Sequence, residues 1–447
     1  MKNKVLTGLL LVLIGGWGSL SAQSAGSNYS RQVNTLIGTK GVGLTSGYLY
    51  PGATYPYGMV QFTPSYFSKR SGFVINQLSG GGCEHMGNFP TFPVKGKLKM
   101  SPDNILNYRI NISEEKGHAG YYEAMVQEDI KAKLTVTERT GMASYEYPAD
   151  QQYGTVIIGG GISATPIEQA AIVITAPNKC EGYAEGGNFC GLRTPYKVYF
   201  VAEFDTDALE SGTWKRNELK PNTTFAEGEY SGVYFTFDVN KKKNIQYKIG
   251  VSYVSVENAR ENLKAENTGW DFLQIQNQAE SKWNHYLGKI EVEGTNPDRT
   301  TQFYTHLYRS FIHPNVCSDV NGEYMGADFK VHKSRSKHYT SFSNWDTYRT
   351  QIQLLSILDP EVVSDIVISH QLFAEEAGGA FPRWVMANIE TGVMQGDPTP
   401  ILISNAYAFG ARNYDPKPIF KTMRKGAEEP GAMSQEVEAR PGLKQFR

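Results

Sequence analysis

Cysteine is scarce in this sequence. Its 447 residues contain four cysteines, Cys83, Cys180, Cys190 and Cys317, and no CxxC motif. Without that motif a zinc or redox site has no support. Cys180 and Cys190 flank the Gly-rich stretch EGYAEGGNF, so in an oxidising compartment they either staple a hairpin or stay reduced. We expect Cys83 and Cys317 to be free and buried.

The sequence also lacks an excess of charge of either sign. Its 44 Lys and Arg residues nearly balance 45 Asp and Glu residues, which gives a formal net charge of −1. A nucleic-acid partner is therefore not expected, because such partners require a basic surface. With 40% hydrophobic and 20% charged residues, the composition is that of a globular protein long enough for two cored domains.

Only one long apolar run is present, and it lies at the N-terminus. Lys2 and Lys4 precede an apolar stretch over residues 5–14, and Ala22 or Ala25 marks a possible cleavage position. This pattern predicts a secretory signal peptide over residues 1–22, because the run is too short for a transmembrane helix. We expect a periplasmic or extracellular protein without a membrane span.

Residues 23–265 are predicted to form an antiparallel β-sandwich. Segments such as YKVYFVAEF and SGVYFTFDV are rich in β-branched and aromatic residues, and Gly, Asn, Asp and Pro clusters separate them. Many short strands without intervening helical patterns are typical of that architecture. The hydrophobic period changes to a helical one near Trp270 and Trp283, which predicts a linker helix within residues 266–294.

Residues 295–447 are predicted to be mainly helical, which makes the chain an α+β multidomain protein. Asn296 and Pro297 open one helix, with Pro at its first position. The helices that follow are predicted near residues 345–357, 360–377, 397–411 and 415–428.

The connection over residues 378–397, GGAFPRWVMANIETGVMQGD, is long for a link between helices, and long ordered loops tend to be functional. It places Glu390 among apolar and aromatic neighbours, which raise the pKa of a carboxyl group. A glycosidase general acid needs such a raised pKa. The alternative interpretation is structural: Glu390 caps the loop or pairs with Arg383.

Two further segments carry polar groups. Trp345 and Asp346 lie together at a predicted helix start, where Trp provides a stacking surface and Asp accepts hydrogen bonds from sugar hydroxyls; the alternative is a core Trp beside an Asp that stabilises the helix dipole. In LSGGGCEHMGNFPTFP, residues 78–93, glycines such as Gly81 permit close backbone approach. Cys83 and His85 in that loop form either a Cys/His nucleophile pair or part of a turn-rich sandwich loop.

These segments together resemble glycoside hydrolase family 92, the exported bacterial α-mannosidases. The matching stretches are VNTLIGT (33–39), YPGATYPYGMVQFTP (50–64), LSGGGCEHMGNFPTFP, FYTHLYRSFIHPNVCSDVNGEYMG (303–326), TSFSNWDTYR (340–349) and FPRWVMANIETGVMQGD (381–397). The resemblance implies a β-sandwich packed on an (α/α)6 barrel, with the site between them. It also implies an inverting, exo-acting hydrolase of mannose-containing glycans that uses calcium.

The resemblance assigns roles to single residues. It implies that Glu390 is the general acid, that Trp345 and Asp346 line the terminal-sugar subsite, and that the sandwich loop shapes leaving-group recognition. The substrate-binding residues expected from these segments are Trp345, Asp346, Gly81, Cys83, His85, Arg383, Trp384 and Asn388.

The resemblance also implies that about half of the barrel is encoded here. The general base and the calcium ligands are expected C-terminal of residue 447, so no metal ligand is expected within the chain. We therefore expect residues 1–447 alone to be inactive and to expose an apolar face. Two alternatives stay open: another glycosidase or phosphorylase with the same domain plan, and a non-catalytic glycan-binding protein. Linkage specificity and oligomeric state are left undetermined.

Overall fold

The computed structural model describes residues 28–40, 47–65, 72–103 and 111–428. The predicted signal peptide, with Ala22 and Ala25, lies outside these residues. Within them, no helix combines the length and apolar character that a membrane crossing requires.

The first part of the described chain consists of antiparallel strands. They are β1 (Ala53–Thr54), β2 (Gln61–Pro64), β3 (Phe73–Val74), β4 (Thr91–Lys95), β5 (Ile112–His118), β6 (Tyr121–Val126), β7 (Ile130–Val136), β8 (Thr140–Glu146), β9 (Tyr153–Ile158), β10 (Ile167–Ala176), β11 (Lys179–Phe189), β12 (Leu192–Phe204), β13 (Glu210–Lys215), β14 (Glu218–Pro221), β15 (Phe225–Glu227), β16 (Ser231–Asp238) and β17 (Asn244–Ser252).

Two large sheets pack face to face. One has the order β1-β2-β3-β4-β9-β16-β13-β14, and the other has the order β15-β10-β11-β12-β17-β8-β7-β6-β5. Buried residues of both sheets form one core, in which Phe204 of β12 and Phe235 of β16 lie with ring centroids 5.0 Å apart. The predicted sheet-rich N-terminal architecture is confirmed.

Helices dominate the second part, as predicted. They are α1 (Val256–Glu266), α2 (Phe272–Leu287), α3 (Pro297–Ser310), α4 (Asn344–Thr347), α5 (Gln351–Leu358), α6 (Pro360–Glu376), α7 (Pro398–Ala408) and α8 (Pro416–Glu428). Asn296 caps α3 by accepting hydrogen bonds from the backbone N–H groups of Asp298 and Arg299. Helix α1 was not anticipated, because its sequence VENARENLKAE buries few apolar side chains.

Short strand pairs fill the connections between the helices. They are β18 (Asn315–Val316) with β21 (Tyr339–Thr340), β19 (Glu323–Met325) with β20 (Val331–Lys333), and β22 (Val385–Met386) with β23 (Ile389–Glu390). The last pair lies inside the 378–397 connection, so that connection is an ordered hairpin.

A buried carboxylate ties the two parts of the molecule together. Asp319, in the loop after β18, is 2% exposed. Its oxygens accept hydrogen bonds from Ser252 Oγ (2.7 Å) at the end of β17 and from the α1 amides Asn258 Nδ2 (2.8 Å) and Asn262 Nδ2 (2.6 Å). Burial raises the pKa of Asp319, and these three donors oppose that shift. The network fixes the helical part against the sheet that carries β17.

Candidate active site

The structure contains a disulfide between two cysteines that the sequence analysis did not pair, and of the two alternatives for Cys180 and Cys190 the hairpin staple is excluded. Cys83 bonds to Cys190 across 107 residues, whereas Cys180 and Cys317 are free and buried. The stretch EGYAEGGNF is extended strand in β11 and not a turn, so at about 3.3 Å per residue Cys180 and Cys190 lie roughly 30 Å apart. The expectation of a free Cys83 was wrong, and that of a free, buried Cys317 is confirmed. A Cys/His nucleophile pair is excluded, since the Cys83 sulfur is oxidised.

The disulfide joins the sandwich loop to the tip of the β11–β12 hairpin, next to the helical part. Phe189, at the end of β11, packs against Trp384 with the rings tilted by 33° and their centroids 4.6 Å apart. His85 approaches Phe189 edge-on, with ring centroids 5.9 Å apart. The sandwich loop therefore reaches the 378–397 connection through this row of rings.

His85 is a fixed, neutral imidazole within that loop. Its side chain is 0% exposed, its Nε2 accepts from the Leu78 N–H (2.8 Å), and its Nδ1–H donates to the Cys83 carbonyl (2.7 Å). Burial lowers the pKa of His85 to about 4. A side chain at Gly81 would place its Cβ 2.9 Å from His85 Cε1, so the loop needs glycine there. Gly81 and His85 thus shape the loop around the Cys83–Cys190 bond.

Glu390 lies in β23 and holds the hairpin together. Its carboxylate accepts hydrogen bonds from three backbone N–H groups, those of Arg383 (2.6 Å), Trp384 (3.3 Å) and Gly392 (3.1 Å). Burial raises the pKa of Glu390, and the three N–H donors and the Arg383 charge oppose the shift without cancelling it. The Arg383 guanidinium donates instead to the carbonyls of Val393 and Gly396. The structure is therefore consistent with both interpretations of Glu390. The raised pKa suits a general acid, and the hydrogen bonds to the backbone suit a residue that fixes the loop.

Trp345 and Asp346 lie beside the same hairpin, in the short helix α4. An isolated β-bridge pairs Ser343 with Trp384, and Ser343 Oγ donates to an Asp346 oxygen. Asp346 is exposed, whereas half-buried Trp345 packs against the sandwich core and lies under Arg349, whose guanidinium carbon is 5.4 Å from the ring centroid. The three sequence segments singled out above therefore meet around Trp384.

A cleft of about 530 Å³ opens next to Glu390, between the β11–β12 hairpin and the end of α6. Asn388 also faces it and donates from Nδ2 to the Gly326 carbonyl (3.0 Å). The sequence interpretation missed the other chemical groups of this cleft, which are Arg193, Asp328, Phe329 and Glu376. Glu376 is the last residue of a correctly predicted helix, but nothing local in its sequence marks it as a site residue.

Calcium remains an expectation from the family resemblance. Among the described residues, no group of three or more His, Cys, Asp or Glu side chains is arranged to hold a metal ion.

Comparison with known proteins gives consistent matches over nearly the whole chain. Residues 32–252 match the glycosyl hydrolase family 92 N-terminal domain, and residues 258–447 match the glycosyl hydrolase family 92 catalytic domain.

Two solved structures from Bacteroides thetaiotaomicron share the fold. A family 92 α-mannosidase superposes with a TM-score of 0.84 at 24% identity, covering 94% of this chain and 58% of its own. A family 92 inverting mannosidase superposes with a TM-score of 0.80 at 23% identity, covering 94% of this chain and 57% of its own.

A sequence relative from Arthroderma benhamiae is described as an uncharacterized secreted glycosidase. The alignment runs over 363 residues at 26% identity and covers 72% of this chain and 45% of the relative. The chain thus spans about half the length of the relatives that it matches.

Proposed function

The chain belongs to glycoside hydrolase family 92, and from this membership and the geometry around Trp384 we propose that it acts in exo-hydrolysis of terminal α-mannosides of glycans. The observation that carries the proposal is the meeting of the sandwich loop, the Trp345–Asp346 pair and the Glu390 hairpin at one place. Small-molecule sites combine apolar or aromatic walls with a few polar groups, and Trp345, Trp384 and Asp346 supply both kinds of group at this place. The mannosidase descriptions of the two structural relatives support this substrate class.

We assign the terminal-sugar subsite to Trp345 and Asp346. The exposed Asp346 carboxylate presents acceptor oxygens to adjacent sugar hydroxyls, and Ser343 holds its orientation. The Trp345 ring provides an apolar surface for the C–H face of the sugar. His85, Gly81 and the Cys83–Cys190 bond act through shape, since they set the position of Phe189 against Trp384.

We assign Glu390 the role of general acid in an inverting reaction. Its raised pKa favours the protonated carboxyl that donates to the departing oxygen. Its contacts with backbone N–H groups also give it a structural role, so a substitution test must separate the two. Inversion further requires a second carboxyl group, roughly 6.5–9.5 Å from the first, to activate a water molecule.

We place that general base, and the ligands of a calcium ion, in the part of the longer relatives that this chain does not match. Calcium would supply charge to polarise sugar hydroxyls. We accordingly expect residues 1–447 alone to release no mannose. Secretion to the periplasm or the outside is supported by the Cys83–Cys190 disulfide and by the secreted relative.

The test compares the complete gene product with residues 1–447 on methyl α-mannoside and on 2,4-dinitrophenyl α-mannoside. The complete product should cleave both α-mannosides but not the matching β-mannosides, and chelation should abolish cleavage. Lack of α-mannoside cleavage by the complete product would overturn the proposal and favour the non-catalytic glycan-binding alternative.

Glu390→Gln then tests the acid role. A lost proton donor should lower kcat on the methyl glycoside by about 100-fold or more and spare the dinitrophenyl glycoside, whose leaving group needs no proton. Equal losses on both substrates, together with a lower Tm, would show that Glu390 acts only by holding the hairpin.

A further inference from the structure

We propose that the cleft beside Glu390 is a second sugar-binding subsite, which holds a glycan residue beyond the terminal mannose through Phe329, Glu376 and Asn388. This inference rests on the proposed function. The cleft has a volume of about 530 Å³, which falls in the range of small-molecule sites. Four elements enclose it: β12, the turn between β19 and β20, the end of α6, and the β22–β23 hairpin.

Phe329 supplies the apolar surface of the cleft. It lies at the β19–β20 turn, is 64% exposed, and has a left-handed backbone with φ of 59°. Phe329 lines the cleft, so its exposed ring offers an apolar surface to a ligand held there. The apolar C–H face of a pyranose is a suitable partner for that ring.

Glu376 supplies a fixed acceptor. Tyr324 Oη donates to one carboxylate oxygen (2.6 Å), and the Ala327 N–H donates to the other (2.9 Å). The Tyr324 ring is in turn stacked on His338, with ring centroids 3.7 Å apart. These contacts hold the carboxylate in one orientation before a ligand binds. A sugar hydroxyl that donates to it therefore causes little further loss of side-chain conformational entropy.

Asn388 supplies an amide across the cleft. Asn388 lines the cleft, and its Nδ2 donates to the Gly326 carbonyl, so its Oδ1 is the atom of the amide that can accept a hydrogen bond. Amide and carboxylate acceptors beside an aromatic ring suit a neutral, hydroxyl-rich ligand.

The charges around the cleft argue against an anionic ligand. The guanidinium of Arg193 makes a two-point ion pair with Glu168 (2.7 and 2.6 Å). Glu376 and Asp328 also line the cleft, and their carboxylates would repel a phosphate or a carboxylate. A neutral saccharide is therefore the ligand class that fits.

The experiment measures binding by calorimetry with two probes, a sulfur-linked α-mannotrioside that glycosidases do not cleave and methyl α-mannopyranoside. Phe329→Ala and Glu376→Gln should weaken trioside binding by about fivefold and tenfold and leave monosaccharide binding unchanged. Matched controls are Phe225→Ala, an exposed Phe in edge strand β15, and Glu375→Gln, the exposed neighbour of Glu376. Both controls should bind like the unsubstituted protein, and thermal melts verify that all four variants fold.

Equal trioside affinity in all variants, or no trioside binding at all, would overturn the inference. Parallel loss of trioside and monosaccharide binding would also overturn it, because the cleft would then be the terminal-sugar site. These outcomes are separate from the hydrolysis assay. If α-mannosides are cleaved but the substitutions do not change trioside binding, only the second subsite is refuted. If the substitutions weaken trioside binding but no α-mannoside is cleaved, only the proposed reaction is refuted.

Discussion

The rings of Phe189 and Trp384 pack against each other across the boundary between the strand-rich and helical parts of the molecule, with centroids 4.6 Å apart. Phe189 adjoins Cys190, which is bonded to Cys83, and Trp384 donates its backbone N–H to Glu390. One aromatic contact therefore connects the disulfide to the hairpin of the candidate general acid. A substitution that displaces Phe189 is therefore expected to shift the Glu390 hairpin, and one that displaces Trp384 is expected to shift the loop that carries the disulfide.

The disulfide assignment predicts the thiol count. Under denaturing, non-reducing conditions residues 1–447, exported to an oxidising compartment, should show two thiols, those of Cys180 and Cys317, and reductant should raise the count to four. Joint replacement of Cys83 and Cys190 by Ser should lower the free energy of unfolding by about 4–5 kcal/mol, because the bond closes a loop of about 100 residues. Cys317→Ser leaves the bond in place and serves as the comparison for losing one sulfhydryl. Four thiols before reduction would refute the pairing.

The Asp319 network predicts a large stability effect far from the site. Asp319→Ala leaves Ser252, Asn258 and Asn262 without their shared acceptor, and we expect a loss of about 3–5 kcal/mol in the free energy of unfolding. Asp271→Ala, which removes only the exposed N-cap of α2, should cost about 1 kcal/mol. Chemical denaturation measures both. Similar costs for the two variants would show that the network does not join the parts of the molecule.

The neutral state of His85 predicts how stability depends on pH. Its pKa of about 4 in the folded protein lies below the value of about 6.5 expected when unfolded. Between about pH 4 and 6.5 the folded state therefore binds fewer protons at His85 than the unfolded state does. The contribution of His85 to the free energy of unfolding is complete above about pH 6.5 and is lost as the pH falls toward 4. Burial raises the pKa of Asp365 to about 6, so the contribution of Asp365 to the free energy of unfolding increases as the pH falls, which opposes the effect of His85.

Comparing the pH dependence of stability of the unsubstituted protein and of His85→Gln separates the effect of His85 from that of Asp365. Gln can still accept from the Leu78 N–H but does not titrate. Between pH 7 and 5 the unsubstituted protein should lose roughly 2 kcal/mol more stability than the variant. Parallel curves would contradict the buried, neutral imidazole.

Exposed apolar side chains on the helical part predict self-association of residues 1–447. Ile357, Ile401, Tyr407, Phe409 and Phe420 are each 43–63% exposed on or beside α5, α7 and α8. Replacing Ile401 and Phe420 with Lys should shift the chain toward monomer in light scattering after size exclusion, because apolar faces drive association. Phe225→Lys, on a sandwich edge strand, should change nothing. A monomeric unsubstituted chain at high concentration would refute this expectation.

Local pattern was sufficient to predict much of the fold. Alternating β-branched and aromatic residues predicted the strands, and helical spacing predicted α6, observed at Pro360–Glu376 against a predicted 360–377. The same logic failed for EGYAEGGNF, whose glycines suggested a turn although the stretch is extended and paired with β12. Glycine permits a turn but does not require one, and sheet pairing decided the outcome.

The site was predictable only where a segment carries its own signal. Trp345 with Asp346, and the Glu390 connection, stand out because unusual residues occur together. Phe329 and Glu376 do not, since they lie 47 residues apart and only tertiary packing brings them to one cleft. The Cys83–Cys190 bond was missed for the same reason.

The most direct test of the account is the kcat/KM of the complete gene product on an α-mannoside after Asp346→Ala. Two hydrogen bonds from sugar hydroxyls to this carboxylate would be lost, so we predict a fall of about 100-fold or more, while Asp271→Ala, which removes the exposed N-cap of α2, leaves kcat/KM unchanged. An Asp346→Ala enzyme as active as the unsubstituted one would contradict the placement of the terminal sugar beside Trp345 and Trp384.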